Sequence, residues 1–164
     1  MDNQLVYPNG KVYCAVYEDR REYSYEDGTP KTVERFRDGK LDGESLLYWP
    51  NGKLKRRCSF LNGVRHGLDQ MWSEEGHLAD EGRYEKGKPV GVHRRYGKKG
   101  NLIEEITYLD GPRFNIHSWD ENGELRLEAR WIDGETYQER AWDRFQNIWI
   151  EKEGHWDGKK LVYV

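Results

Sequence analysis

Glycines on a fixed beat constrain this chain more than any other feature. Gly28, Gly52, Gly76 and Gly100 stand 24 residues apart, and Gly123 follows after 23. A second series interleaves with it: Gly39, Gly63, Gly87 and Gly111 at 24, Gly134 at 23 and Gly158 at 24. The residue four before a first-series glycine is Tyr48, Trp72, Tyr96 or Trp119. Self-similarity of this kind means that one small supersecondary unit is repeated, each copy burying its apolar residues against its neighbours.

Turn chemistry identifies the unit. Asn51-Gly52, Asn62-Gly63, Asp110-Gly111, Asn122-Gly123, Asp133-Gly134 and Asp157-Gly158 are pairs that reach positive φ at low cost and so favour tight hairpins. Between the turns, residues alternate with period two. Leu54, Cys58 and Phe60 oppose Lys53, Lys55, Arg57 and Ser59, with Arg56 as the exception. Leu125, Leu127, Ala129 and Trp131 oppose Glu124, Arg126, Glu128 and Arg130. Leu78 with Tyr84, and Leu102 with Ile106 and Tyr108, occupy equivalent places. This is the mark of half-buried antiparallel strands, and no stretch shows a helical period. The expected fold is all-β: a single elongated, twisted antiparallel β-meander of about six 24-residue double-hairpin repeats, with roughly twelve to fourteen strands.

The ends depart from the beat. Gly10 and Gly28 are only 18 apart, although Tyr7-Pro8-Asn9-Gly10-Lys11 still matches Trp49-Pro50-Asn51-Gly52-Lys53. Near the other end Asn147 takes a glycine's place after one inserted residue, and Asn tolerates left-handed geometry. The organisation read from this is one repeat domain over 1–164, with a truncated unit at 1–27, regular repeats over 28–141 and a capping unit at 142–164.

Composition fits a thin core. Charged residues make up 35% of the 164 and mean hydropathy is -1.09, a balance that tends towards disorder. Seven Trp, 11 Tyr and 4 Phe oppose it, because each aromatic ring buries a large area. No apolar run approaches the about 18 residues of a membrane-spanning helix. Met1-Asp2-Asn3-Gln4 lacks the basic and apolar regions of a signal peptide, so a cytoplasmic location is expected. Cys14 and Cys58 share no metal-ligand spacing and fall on strands about four apart, roughly 19 Å in a regular meander. They are expected to be unpaired, half-buried thiols.

Trp49-Pro50-Asn51-Gly52-Lys53-Leu54, followed by Phe60-Leu61-Asn62-Gly63, Gly67 and Trp72, resembles the MORN repeat variant. The resemblance runs best from Tyr25 to about Gly134 and extends to the group called YwqK-type antitoxins. It implies an antiparallel β array and neutralisation of a toxin by direct contact. Related repeats also serve as scaffolds and membrane-associated modules. Asn115 and Gln138 depart from the pattern by replacing the third glycine of the unit, found at Gly43, Gly67 and Gly91.

No catalytic motif emerges: there is no G-x-S-x-G, H-E-x-x-H or G-x-x-x-x-G-K-[ST]. His66, His77, His93, His117 and His155 fall at different repeat phases and form no ligand set. Glu74-Glu75 and Glu104-Glu105 are adjacent on turns or strands and read as solvated surface. No enzymatic activity, cofactor or metal is expected. Lys55-Arg56-Arg57, Arg94-Arg95 and Lys98-Lys99 offer a basic path, but alternation splits neighbours between faces and the pI is near 6.0, so nucleic acid is not the expected partner.

Charge is polarised along the chain. Residues 31–100 hold 16 Lys/Arg against 10 Asp/Glu, a net of +6, whereas residues 101–139 hold 3 against 10, a net of -7. The acidic stretch adjoins five of the seven tryptophans: Trp119, Trp131, Trp142, Trp149 and Trp156. Trp beside carboxylates is the composition of a protein-interface hot spot with a charged rim. The candidate partner-binding residues are therefore Phe114, Trp119, Glu121, Glu124, Glu128, Phe145 and Trp149, with a basic protein, such as a toxin encoded nearby, as the expected partner. A structural or membrane-associated scaffold organising several protein partners is the alternative.

Overall fold

A computed structural model describes residues 3–109 and 113–164. Every element in it is a strand, as the alternation requires. A single antiparallel sheet takes the strands in chain order, with one two-residue strand set aside from the path. Sixteen strands exceed the twelve to fourteen expected, because the terminal units also form hairpins and one strand is interrupted by Asp42. The expected Asp110-Gly111 turn and Met1-Asp2 lie outside the described residues. The chain divides into two compact units, Met1–Pro89 and Val90–Val164.

The first unit holds β1 (Asn3–Val6), β2 (Val12–Val16), β3 (Arg20–Ser24), β4 (Pro30–Arg37), β5 (Lys40–Leu41), β6 (Gly43–Tyr48), β7 (Leu54–Leu61), β8 (Val64–Trp72) and β9 (Leu78–Glu85). Its two glycine series make two kinds of turn. At Gly52 the Gly52 N–H donates to Trp49 O at 2.9 Å and the Trp49 N–H to Lys53 O at 2.8 Å. With φ of 80° at Gly52, this is a three-residue loop closed by a glycine bulge. Residues 7–11, 25–29 and 73–77 repeat the same pair of bonds. The second series makes two-residue turns in which both residues have positive φ: Asp38-Gly39, Asn62-Gly63 and Lys86-Gly87.

Each bulged turn is stapled to the next. The Tyr25 hydroxyl donates to Tyr48 O at 2.9 Å, and Trp49 Nε1 to Trp72 O at 3.0 Å. Asn51 Nδ2 reaches Glu74 O at 2.9 Å, and Lys53 Nζ reaches Glu75 O at 2.8 Å. The same side-chain positions thus satisfy turn carbonyls one repeat onward, which gives the 24-residue beat its structural meaning. Within the strands, Gly43 pairs with Phe60 and Gly67 with Tyr84. Both glycines have positive φ, 100° and 97°, and a Cβ would meet the Arg35 side chain at 3.5 Å in the first case and Ser59 Cβ at 3.4 Å in the second. The short Gly10–Gly28 interval is taken out of the strands, since β2 and β3 have 5 residues each against 8 and 9 in β7 and β8.

Arg56, the exception to the alternation, faces the same side as Cys58. In register beside Cys58 lies Asp69, which is 7% exposed. Arg56 holds it with two bonds, Nε to Oδ1 at 2.9 Å and Nη2 to Oδ2 at 2.6 Å, and Arg65 Nη1 adds a third at 3.3 Å. The Asp69 hydrogen bond, opposed by burial, drives the Arg56 guanidinium pKa up. Cys14 and Cys58 are unpaired and fully buried rather than half-buried. Burial pushes the Cys58 thiol pKa up.

The second unit holds most of β10 (Lys88–Tyr96), then β11 (Leu102–Tyr108), β12 (Phe114–Trp119), β13 (Leu125–Trp131), β14 (Thr136–Asp143), β15 (Ile148–Trp156) and β16 (Leu161–Tyr163). Among the described residues its buried centre is small: Ala129, Tyr137 and Gly154. Trp131 packs on Tyr137 at 5.4 Å between ring centres and edge-on to Trp156 at 6.3 Å, so aromatic rows supply the core that aliphatic residues do not. Burial, then the Glu139 carboxylate, pushes the Tyr137 phenol up to about 12.

One turn here differs from expectation and one agrees with it. Gly134 does not adopt positive φ. Instead, Asp133 Oδ1 accepts the N–H groups of Glu135 and Thr136 at 2.9 and 2.6 Å, a side-chain turn that needs no left-handed residue. Asn147 has φ of 56°, as its substitution for glycine requires. Asn115, in the place of a third glycine, has no positive φ either. Its Oδ1 accepts the Trp131 N–H at 3.0 Å.

Candidate protein-binding face

In an antiparallel sheet, residues paired across strands point to the same face. One row crosses the second unit from β10 to β15: Arg94, Glu105, His117, Glu128, Arg140, Glu151. Basic side chains and carboxylates alternate strand by strand. Arg94 Nε donates to Glu105 Oε2 at 2.9 Å, His117 Nε2 lies 3.4 Å from Glu128 Oε1, and Arg140 Nε donates to Glu128 Oε2 at 2.7 Å. With neighbouring strands about 4.8 Å apart, like charges recur every ~10 Å.

Aromatic rings border this ladder on the same face. Trp119 stacks on His117 at 5.9 Å and 20°. Trp142 meets Trp149 edge-on at 5.6 Å, with Arg126 over the first and Arg140 over the second at 5.8 and 5.1 Å. Between β13, β14 and β15 the face carries a shallow depression of about 610 Å³, bordered by Glu128, Arg130, Gln138, Arg140, Glu151 and Glu153.

The candidate residues read from sequence divide between places. Trp119, Glu128 and Trp149 lie on this one face and are joined through His117 and Arg140. Glu121 and Glu124 sit in the β12–β13 turn, where Arg126 pairs with both Glu124 and Asp120. Phe145 is 85% exposed in the β14–β15 turn, under the Arg144 guanidinium. Phe114 points to the opposite face, in register with Tyr108. The carboxylates that residues 101–139 bring to this face therefore stand among Arg94, Arg126 and Arg140, and the surface is of mixed sign.

Sequence reading missed the ladder, yet its signal is present. Arg94, His117 and Arg140 are each 23 apart, as are Glu105, Glu128 and Glu151.

Burial alone would raise the Glu128 pKa, but the Arg140 hydrogen bond and charge, with His117, outweigh it and hold the carboxyl below the ordinary range. A carboxyl depressed in the folded state stabilises the fold above its unfolded pKa of about 4.3, and that contribution is lost as pH falls through the folded value. We expect the thermal midpoint of wild type to fall in that window more steeply than that of Glu128→Gln. Parallel midpoint-versus-pH curves would show that the ladder contributes nothing.

Comparison with known proteins adds one assignment. Residues 41–62 match the MORN repeat variant. The match spans β6, β7 and the bulged turn between them, which is one beat of the array. No curated protein matches the chain. A crystal structure of a protein of unknown function from Bacteroides fragilis is similar over 96% of this chain and 91% of that one, with 12% identity and a TM-score of 0.16. A score that low carries no argument about fold or function.

Proposed function

We propose that this MORN-variant array is a non-enzymatic, cytoplasmic protein-binding module whose partner seats on the ladder face of the second unit. The observation that carries the reading is the convergence of Trp119, Trp142 and Trp149 with Arg140, Glu128 and His117 on one sheet face. Trp and Arg are the side chains that dominate protein interfaces when a polar rim surrounds them. The alternating charges fix the register of a complementary surface. The resemblance to YwqK-type antitoxins supports a toxin as that partner, neutralised by contact.

The test is affinity capture from native lysate with wild type and with a Trp119→Ala, Glu128→Lys, Arg140→Glu variant as bait. A single protein retained in stoichiometric amount by wild type and lost by the variant is the expected result. Expressed alone, that protein should arrest growth, and co-expression of the present chain should relieve the arrest. A harmless partner would move the reading to a scaffold, and capture that ignores the three substitutions would discard the face.

A further inference from the structure

Among the described residues the ladder ends on a carboxylate, Glu151, at a sheet edge. Glu105 has Arg94 and His117 in register on its two sides, and Glu128 has His117 and Arg140. Glu151 has Arg140 on one side only, and Arg140 gives both Nε and Nη2 to Glu128 at 2.7 Å. On its other side β15 is covered by β16, which pairs only with Gly154, His155 and Trp156. The Val164 N–H adds one bond, to Glu153 O at 2.9 Å. No described strand lies along Ile148–Lys152.

Backbone alternation shows what this edge offers. The Trp156 N–H donates inward to Glu135 O at 2.8 Å, while Glu153 O accepts from the outer side. Residues of an antiparallel strand alternate between inward and outward bonding. Trp149 and Glu151 therefore direct their N–H and C=O groups outward. On the face opposite Glu151, the same stretch leaves Ile148 47% and Ile150 39% exposed. An edge with outward backbone groups and alternating side-chain character is a template for another strand.

We infer that the Ile148–Lys152 edge accepts an extended segment of the partner protein as an added strand. On the ladder face that segment places a Lys or Arg beside Glu151, supplying the basic side chain that the earlier carboxylates, Glu105 and Glu128, have on their far side. On the other face it places apolar side chains beside Ile148 and Ile150. This deepens the reading above and takes from it only that the partner is a protein.

The probe is a short capped peptide of alternating Lys and Val, compared with one of alternating Glu and Val. The Lys–Val peptide should bind and protect the Trp149 and Glu151 amides from hydrogen exchange. Glu151→Gln should weaken it about tenfold, the loss of one charge pair. Glu151→Pro removes an outward donor but no bond to β14, so it should abolish binding with the thermal midpoint near wild type. Ile150→Pro, which removes an inward donor, should lower the midpoint. Equal binding of the Glu–Val peptide, protection elsewhere, or full binding by Glu151→Pro would overturn the inference. So would protection of Trp149 and Glu151 in concentrated protein without peptide, which would give the edge to a second copy. Failure here leaves the lysate capture result intact, so the two readings fall separately.

Discussion

Asp69→Ala should be the most destabilising single substitution in the first unit, costing about 2–4 kcal/mol in urea denaturation. Asp69 is buried and receives three hydrogen bonds from Arg56 and Arg65. Removing it leaves two guanidinium groups facing each other beside Cys58. Breaking a buried ion pair costs roughly 3–5 kcal/mol. The side chains of Arg56 and Arg65 are 29% and 39% exposed, so water relieves part of that cost and the lower range applies. The exposed pair Arg57–Glu44, at 3.2 Å on the opposite face, provides the contrast. Glu44→Ala should cost about 1 kcal/mol or less. Replacing the whole cluster, Asp69→Leu with Arg56→Met and Arg65→Leu, should recover most of the loss, because apolar side chains of similar volume avoid charge desolvation. A midpoint for Asp69→Ala within error of Glu44→Ala would show that the cluster is solvated and energetically idle.

That cluster also marks what sequence could and could not reveal. The glycine beat and period-two alternation were enough for the strand class, the chain-order meander and the presence of hairpin turns at Gly52 and Gly123, because these depend on residues close in sequence. Arg56 stood out as a break in the alternation, but its reason lies in Asp69, thirteen residues on, and depends on a strand register that local pattern does not fix. The same holds for charge. Counting carboxylates along residues 101–139 suggested an acidic surface, whereas cross-strand pairing puts Arg140 beside Glu128. Phe114 and Trp119 both looked like interface candidates. Their parity, decided by the start of β12, sends them to opposite faces. Gly134 shows the limit of turn chemistry, since an Asp side chain closed that turn without a left-handed residue.

Gly154→Val should detach β16 and leave the rest of the second unit paired. Gly154 has no backbone reason to be glycine, since its φ lies outside the left-handed region. Its reason is space: a Cβ there would lie 2.9 Å from the Val162 carbonyl oxygen and 3.1 Å from Leu161 Cδ1. A backbone atom cannot rotate aside, and β16 is held by only three register pairs, so the strand moves before β15 does. Overpacking of this kind costs roughly 1–3 kcal/mol. Hydrogen exchange should show the Val162 and Val164 amides unprotected, with β13 and β14 amides slow. Tyr137 provides a second readout. Burial, the Glu139 charge and Tyr163 hold its phenol at about 12, and Tyr163 leaves with β16, so its titration should move towards the ordinary value of about 10. Because its folded pKa is raised, Tyr137 stabilises the wild-type fold fully below pH ~10 and loses that contribution as pH rises through the folded value. The variant should show a shallower alkaline loss. Displacing β16 also lengthens the open edge of β15 to its C-terminal end. If that edge recruits a partner strand, a longer Lys–Val peptide should bind Gly154→Val more tightly than wild type and protect His155 as well as Glu151. Unchanged protection of Val162 in the variant would mean that β15 bends instead, and the edge would then stay as short as it is in the wild type.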